Sequence, residues 1–424
     1  MGEEAHETCN GIMDVSIPLN QNIILYLLTV FGDRSTFIKI LANLFQDKAK
    51  ITAMKRFFLS ISAFLSVIFI TVACSQKTNC MAFTDETSFV ENFPHRLSLT
   101  NPEVINHGIL GTNDFKIMDS LMIISTSDKE YAWKFISLDG LEKCGEAIRI
   151  GNGPHEFLFA PWPSQCEFTK EKGLTYCFLP DKDKKQMLRM NLSESVRERN
   201  SGIETVRDNI PYPYPCPNTV RIDDSTYFCT TLSSDMTQRE RLILKNSERI
   251  YPETWRQINE VHVSPGTNPN LLSAGVSFKR DRKLIIETPI ALKNINLYSL
   301  DGKVKKTVCI GKRLTSIGDL EKLDANDIPV TFTTTQVYDN FFAVMYLGET
   351  AWSYGTGRTE MPHIYCFDYD GNPIADILID RQATGFDFDF TGRRLYVLDL
   401  DTESMWRYKL PEREDWMNIL SQRL

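Results

Sequence analysis

An all-β fold, a six-bladed β-propeller with four-stranded blades preceded by an export and lipidation signal, is the architecture that this 424-residue sequence predicts. Three observations lead there. A strand, polar turn, strand motif recurs at an even period; Asp-Gly turns fall at the same place in several repeats; and the last repeat is one strand short. Self-similarity at a fixed period of tens of residues marks solenoids and propellers. Four-stranded sheets repeated radially protect their edges by closing a ring.

The motif is clearest at 115–124, 220–228 and 386–397, with weaker copies at 168–178, 278–286 and 337–344. Leu121, Leu174, Thr226, Leu284, Phe341 and Leu395 are the residues expected to open each second strand, and the steps between them are 53, 52, 58, 57 and 54 residues. A second element follows each pair. Residues 133–140, 295–302 and 364–371 match one another and end in Asp139-Gly140, Asp301-Gly302 and Asp370-Gly371. Asp-Gly between alternating apolar runs is a strong hairpin signal, because glycine takes the positive φ that the turn demands. Residues 186–192 and 405–410 fill the same slot in the second and last units, so each unit supplies four strands.

Beyond Leu410 no fourth strand is legible, and the segment 93–105 is expected to return and complete the last blade. The propeller is therefore assigned to 93–410. Residues 411–424, with Trp416, Ile419 and Leu420 at helical spacing, are expected to form a short outer helix.

Residues 54–73 read as a cleaved signal. Lys55 and Arg56 precede an uncharged apolar run at 57–73, and Thr71-Val72-Ala73 lead into Cys74, the expected lipidation site. A run of this length is also just enough for a membrane span. Residues 1–53 do not suit a signal, since Glu3, Glu4 and Glu7 make the start acidic; Met54 is the expected start, and 1–53 is a non-native or membrane-proximal extension. Residues 74–92 are expected to be a tether.

The formal net charge is −8 without a basic stripe, which argues against nucleic acid as a partner. Eight cysteines follow Cys74, an even number that permits disulfides in an exported chain, but order alone gives no pairing. Cys177 and Cys366 sit in strand-like runs where cysteine acts as a small buried hydrophobe. Histidines are scattered and C-x-x-C is absent, so no metal site and no cofactor is expected.

The lipobox-like 71–74, the segment Arg149-Ile150-Gly151-Asn152-Gly153-Pro154-His155-Glu156-Phe157 and the terminal Leu395-Tyr396-Val397-Leu398-Asp399 carry a resemblance to the TolB-like six-bladed propeller lipoproteins of Bacteroides-type bacteria. The resemblance covers roughly 97–410. It implies a fold and a cell-envelope location, and it carries over no catalytic residue. Ser75-Gln76-Lys77 departs from the acidic run that follows the lipidated cysteine in surface-exported members, which favours a periplasm-facing outer-membrane anchor.

Two loops are candidate ligand-binding sites. In 151–157, His155 and Glu156 are a pair that would face the central channel. The structural alternative is a blade-to-blade crossing in which glycines make the turn and Phe157 packs between sheets. In 350–358, Trp352, Tyr354 and Arg358 are suited to stacking on a sugar or holding a carboxylate, against the plainer reading of a mobile hairpin loop. The proline string 211–217 is stiff and presents tyrosines. Asp387, Asp389, Asp399 and Asp401 alternate, and are expected to face solvent rather than hold a cation. No catalytic set is present. The expected function is a non-enzymatic binding or scaffold module for a protein or glycan partner, tethered to the membrane through a lipid anchor. The alternative is a hydrolase or lactonase-like propeller with a channel calcium, an argument from fold alone.

Overall fold

The computed structural model describes residues 79–199, 202–358 and 360–411. The signal, Cys74, the extension and residues 412–424 of the expected helix lie outside the described residues.

Six sheets form six blades, and the four main strands of blades 1 to 5 lie side by side in chain order. Blade 1 holds Thr112–Met118, Leu121–Thr126, Tyr131–Ser137 and Lys143–Arg149. Blade 2 holds Glu167–Glu171, Leu174–Asp181, Gln186–Asn191 and Ile203–Arg207. Blade 3 holds Thr219–Arg221, Thr226–Leu232, Arg239–Lys245 and Glu248–Ile250. Blade 4 holds Ala274–Lys279, Leu284–Pro289, Asn294–Ser299 and Lys305–Ile310. Blade 5 holds Pro329–Val337, Phe342–Thr350, His363–Phe367 and Pro373–Ile379. Blade 6 takes Gly385–Asp389, Arg394–Asp399 and Ser404–Lys409 from the end of the chain and Glu103–Ile105 from its beginning.

The Asp-Gly turns join third to fourth strands as expected. Gly302 and Gly371 adopt φ of 72° and 78°. At Gly371 a Cβ would also lie 2.7 Å from Val308 Cγ2 of the neighbouring blade, so glycine serves both the turn and the close approach. In the first blade the positive φ, 55°, falls on Leu141 instead of Gly140.

The core is divided into wedges rather than gathered at a centre. Separate apolar clusters lie between blades 1 and 2 (around Trp133, Phe157 and Leu188), 2 and 3 (Phe178, Tyr212, Tyr227), 3 and 4 (Phe228, Trp255, Tyr298), 4 and 5 (Leu297, Phe342, Phe367), 5 and 6 (Ile364, Phe386, Tyr408) and 6 and 1 (Phe115, Ile136, Tyr396). Because every sheet is covered on both faces, its middle strands are buried along nearly their whole length: Leu121–Thr126 and Leu284–Pro289 contain no exposed residue. Each fully buried large side chain contributes about 1.5–3 kcal/mol, so the ring is held by six local interfaces.

Closure goes further than expected. Ile105, Val104 and Glu103 pair antiparallel with Met405, Trp406 and Arg407, as the missing strand required. Upstream of it, Thr87–Val90 adds a parallel fifth strand to blade 4 (Thr87↔Thr307), and His95–Leu99 adds one to blade 5 (His95↔Ala375). Residues 79–92, which the sequence assigned to a tether, are thus built into the ring over their described length. The segment 79–105 is a belt running across the outside of blades 3 to 6. Its first residues are deeply buried: Phe83 joins the wedge between blades 3 and 4, and Met81 joins an outer cluster with Val261, Leu272 and Ile317.

Beneath the belt lies a buried ionic network. Arg241 of blade 3 and Glu287 of blade 4 are both fully buried; Arg241 Nε donates to the two carboxylate oxygens at 3.2 and 3.0 Å. Tyr298 Oη donates to Glu287 at 2.6 Å, and Arg241 also reaches Met81 Sδ at 2.9 Å. The Met81 carbonyl accepts from Asn294 and Asn296 at 2.7 and 3.0 Å. Burial pushes the Glu287 carboxyl up, but Arg241, by charge and hydrogen bond, together with Arg239 and the Tyr298 hydroxyl, holds it below its ordinary value.

Candidate functional site

Radial repetition brings the first strands of the six blades together, and a charged or amide side chain lies on or directly after each of them. These are Lys116, Glu167, Arg221, Gln336 and Asp387, with Arg280 directly following the blade 4 strand. All but Asp387 line a channel cavity of about 260 Å³. Lys116 Nζ sits 3.1 Å from Asp387 and donates to Gln336 Oε1 at 2.6 Å. Asp387 is completed by the Ile117 N–H at 2.8 Å and the Tyr338 hydroxyl at 2.8 Å. Across the channel Glu167 meets both Arg221, at 3.1 Å, and Arg280. The Arg221 guanidinium lies 3.8 Å above the Phe178 ring. Burial raises the Glu167 carboxyl, and the two guanidiniums only partly offset this. With three cations against two carboxylates, the channel is net positive.

A larger groove of about 680 Å³ adjoins the channel, sharing Gln165, Cys166, Pro180 and Thr219 with it. One wall is the crossing from blade 1 to blade 2, with Phe159 (81% exposed) and Trp162 (49%) at its lip. The opposite wall is the proline string 211–217, with Tyr214 97% exposed at its crest. Lys182, Lys185, Asp183 and the buried Arg239 add charge between them. Both walls are fixed from behind. Trp133 Nε1 donates to the Pro161 carbonyl at 2.9 Å and the Ser164 N–H to Asp114 at 2.8 Å. Lys182 Nζ holds the carbonyls of Cys216 and Pro217 at 2.7 and 3.1 Å, and Thr231 holds that of Pro215 at 2.8 Å. Tyr212 is turned inward onto Tyr227, ring centroids 5.9 Å apart. The exposed aromatics therefore stand on stiff supports, which lowers the ordering cost of a ligand that stacks on them.

His155 and Glu156 line neither the channel cavity nor the groove. Glu156 folds back within its own loop, accepting from the Gly153 N–H at 2.7 Å and facing Arg149 at 3.4 Å. Lys184 Nζ of blade 2 takes the carbonyls of Gly153 and Glu156, each at 2.5 Å, and Phe157 is buried between blades 1 and 2. The loop anchors the groove wall that follows it.

Trp352, Tyr354 and Arg358 fall on and just after the six-residue helix Ala351–Thr356, whose N-cap Thr350 accepts from the Ser353 N–H. They do not share a cavity with the groove. Trp352 is exposed; Tyr354 packs against the wedge between blades 5 and 6. The Arg358 side chain is only 4% exposed, clamped between Asp399 and, at 3.3 Å, Asp401, with its charge 5.5 Å from the Tyr354 ring. The acidic set is not solvent-facing: Asp387, Asp389 and Asp399 are buried. Alternation identifies residues that share a face, but in a blade both faces are covered, so the carboxylates are met by Lys116, by the Gly392 N–H at 2.8 Å and by Arg358. A calcium site needs several converging oxygen ligands. Among the described residues no group of three or more His, Cys, Asp or Glu is placed to hold a metal ion.

Sequence reasoning missed the lip Phe159 and Trp162, the cations around the groove and the channel ring. The ring was legible in principle, as one polar residue per repeat on or directly after each first strand. Among the described residues no helix is long and apolar enough to cross a membrane.

No family profile matches the chain, and no curated protein matches it. Among solved structures it is similar to a member of the DUF4221 family from Bacteroides vulgatus, at 10% identity and a TM-score of 0.45, over 74% of this chain and 94% of that one. It is similar too to an exported-protein candidate of Bacteroides fragilis (8%, TM-score 0.42, 75% and 100%). A third is the calcium-binding protein regucalcin from Agrobacterium tumefaciens (9%, TM-score 0.38, 74% and 95%). Likeness at this level carries nothing about activity, ligand or location.

Proposed function

We propose that this protein is a binding module of the cell envelope, a TolB-like propeller lipoprotein tethered through Cys74 that takes a glycan in the groove between blades 2 and 3. The groove carries the proposal: three exposed aromatics, Phe159, Trp162 and Tyr214, stand on rigid supports around a 680 Å³ concavity edged by charged groups. Aromatic faces suit the apolar faces of sugar rings, and fixed cations suit acidic substituents. Nothing in the channel favours the enzyme reading, because its carboxylates are committed to cations.

Binding is tested by screening the purified chain on a glycan array and titrating hits by tryptophan fluorescence. The expected result is a hit whose affinity falls roughly 5–30-fold, about 1–2 kcal/mol, in Trp162→Ala or Tyr214→Ala. Hits insensitive to both substitutions would displace the groove as the site. The anchor is tested separately by the intact mass of the protein from its native envelope, which is expected to begin at an acylated Cys74.

A further inference from the structure

The groove wall contains a second chemistry. Cys216, half-buried at the foot of the proline string, has its Sγ 3.1 Å from Thr219 Oγ1. Thr219 is the direct cross-strand partner of the buried Cys229, and Cys216 packs against the same apolar cluster that Cys229 belongs to. The two cysteines thus flank one residue, Cys216 at the Thr219 hydroxyl and Cys229 directly across the strand pair from it. The arrangement recurs one blade earlier: Cys166, half-buried at the groove, packs against the cluster that holds buried Cys177, which lies on the second strand of blade 2 as Cys229 does on that of blade 3. Two cations attend Cys216. Lys182 holds its carbonyl at 2.7 Å, and Arg239 lines the same wall.

We propose that Cys216 and Cys229 are a reversible thiol–disulfide pair set into the groove wall and oxidised by exchange with a small-molecule disulfide. Cys216 attacks as the thiolate. Its hydrogen bond from Cys229, the Thr219 hydroxyl and the charges of Lys182 and Arg239 bring this thiol down to about 7, whereas the same contact and burial push Cys229 well up. The external S–S bond breaks, a mixed disulfide forms on Cys216, and the first leaving thiolate takes up the Cys216 proton. Cys229 then attacks the Cys216 sulfur, the intramolecular S–S bond forms, and the second leaving thiolate takes up the Cys229 proton. Two protein thiols are oxidised and one external disulfide is reduced to two thiols. The neighbouring thiolate that held Cys229 up is consumed in the first step, which frees Cys229 to act in the second. Oxidation ties the proline string covalently to the second strand of blade 3, so the wall bearing Tyr214 is fixed by the redox state.

The test uses the purified, reduced full chain and oxidised glutathione as probe, with quenching in acid, alkylation after denaturation and peptide mass mapping. A disulfide-linked peptide joining Cys216 to Cys229, reversed by dithiothreitol, is expected. The rate of its formation should halve near pH 7, where an ordinary thiol at about 8.5 would be mostly protonated. Cys229→Ser and Cys229→Ala should both trap glutathione on Cys216, while Cys216→Ser should leave Cys229 unmodified. Free Cys216 and Cys229 in the wild type after full exposure, no trapped adduct in either Cys229 variant, or a cross-link from Cys216 to Cys166 would each overturn the proposal. The wild-type map requires no variant to fold, and its outcome is independent of whether the groove binds a glycan.

Discussion

Removing one charge from the buried pair beneath the belt should be among the most damaging single changes in the molecule, and the sign of its pH dependence identifies which partner is left behind. In Glu287→Gln the amide still accepts from the Tyr298 hydroxyl, but the fully buried Arg241 guanidinium has no counter-ion. Breaking a buried ion pair from one side costs about 3–5 kcal/mol. With unfolding entropy near 2.1 cal/mol/K per residue over roughly 330 residues, that corresponds to a loss of about 4–7 °C in Tm. Arg241→Met strands the carboxylate instead. In the wild type the Glu287 carboxyl is held low in the fold, so its stabilisation is present above the unfolded value and is lost as pH falls. In Arg241→Met burial is expected to outweigh the remaining pull of Arg239 and the Tyr298 hydroxyl and raise it, so stability increases as pH falls and that carboxyl takes up its proton. The double variant Arg241→Met/Glu287→Gln removes both charges and should recover most of the loss, since apolar replacement of a buried pair is often neutral. Scanning calorimetry of the four proteins between pH 4 and 8 is the assay. A Glu287→Gln loss under about 1 kcal/mol, or a double variant worse than either single, would refute the reasoning.

Ile105→Ala deletes a buried side chain of the closing strand in the wedge between blades 6 and 1, and should cost about 2–4 kcal/mol in urea unfolding. Arg358→Ala leaves buried Asp399 without its cation, so a loss of about 3–5 kcal/mol is expected by thermal melting, with groove ligands still bound normally. Trp162→Ala and Tyr214→Ala remove exposed rings and should shift stability by no more than about 0.5 kcal/mol while weakening the glycan, a separation read by running melts and titrations on the same samples.

The blades were legible because each must fold the same way at the same depth. Leu121, Leu174, Thr226 and Leu284 open their second strands at the residue expected, and the other two strands begin at Phe342 and Arg394, one residue from Phe341 and Leu395. The belt was not legible, since Thr87–Val90 and His95–Leu99 are short, lie outside the period, and find partners more than 200 residues away. Arg358 and the Asp399, Asp401 pair were each conspicuous, but their meeting depends on a blade 5 loop folding over blade 6, which neither local pattern encodes. The groove failed for a related reason: Phe159, Trp162 and Tyr214 sit in crossings between repeats, where spacing carries no information.

The belt also sets the order in which the protein can be finished. Thr87, His95 and Ile105 pair with Thr307, Ala375 and Met405, so the strands made first are the last to find partners. On a chain synthesised at about 5–20 residues per second, those segments wait on the order of tens of seconds with their backbone unpaired. Such long-range pairing is slow and aggregation-exposed. The same route makes the amino-terminal end the mechanical handle of the ring. A pull on it is resisted first by the buried Met81 and Phe83, then by two parallel edge strands, and reaches the closing strand of blade 6 only after those have given way.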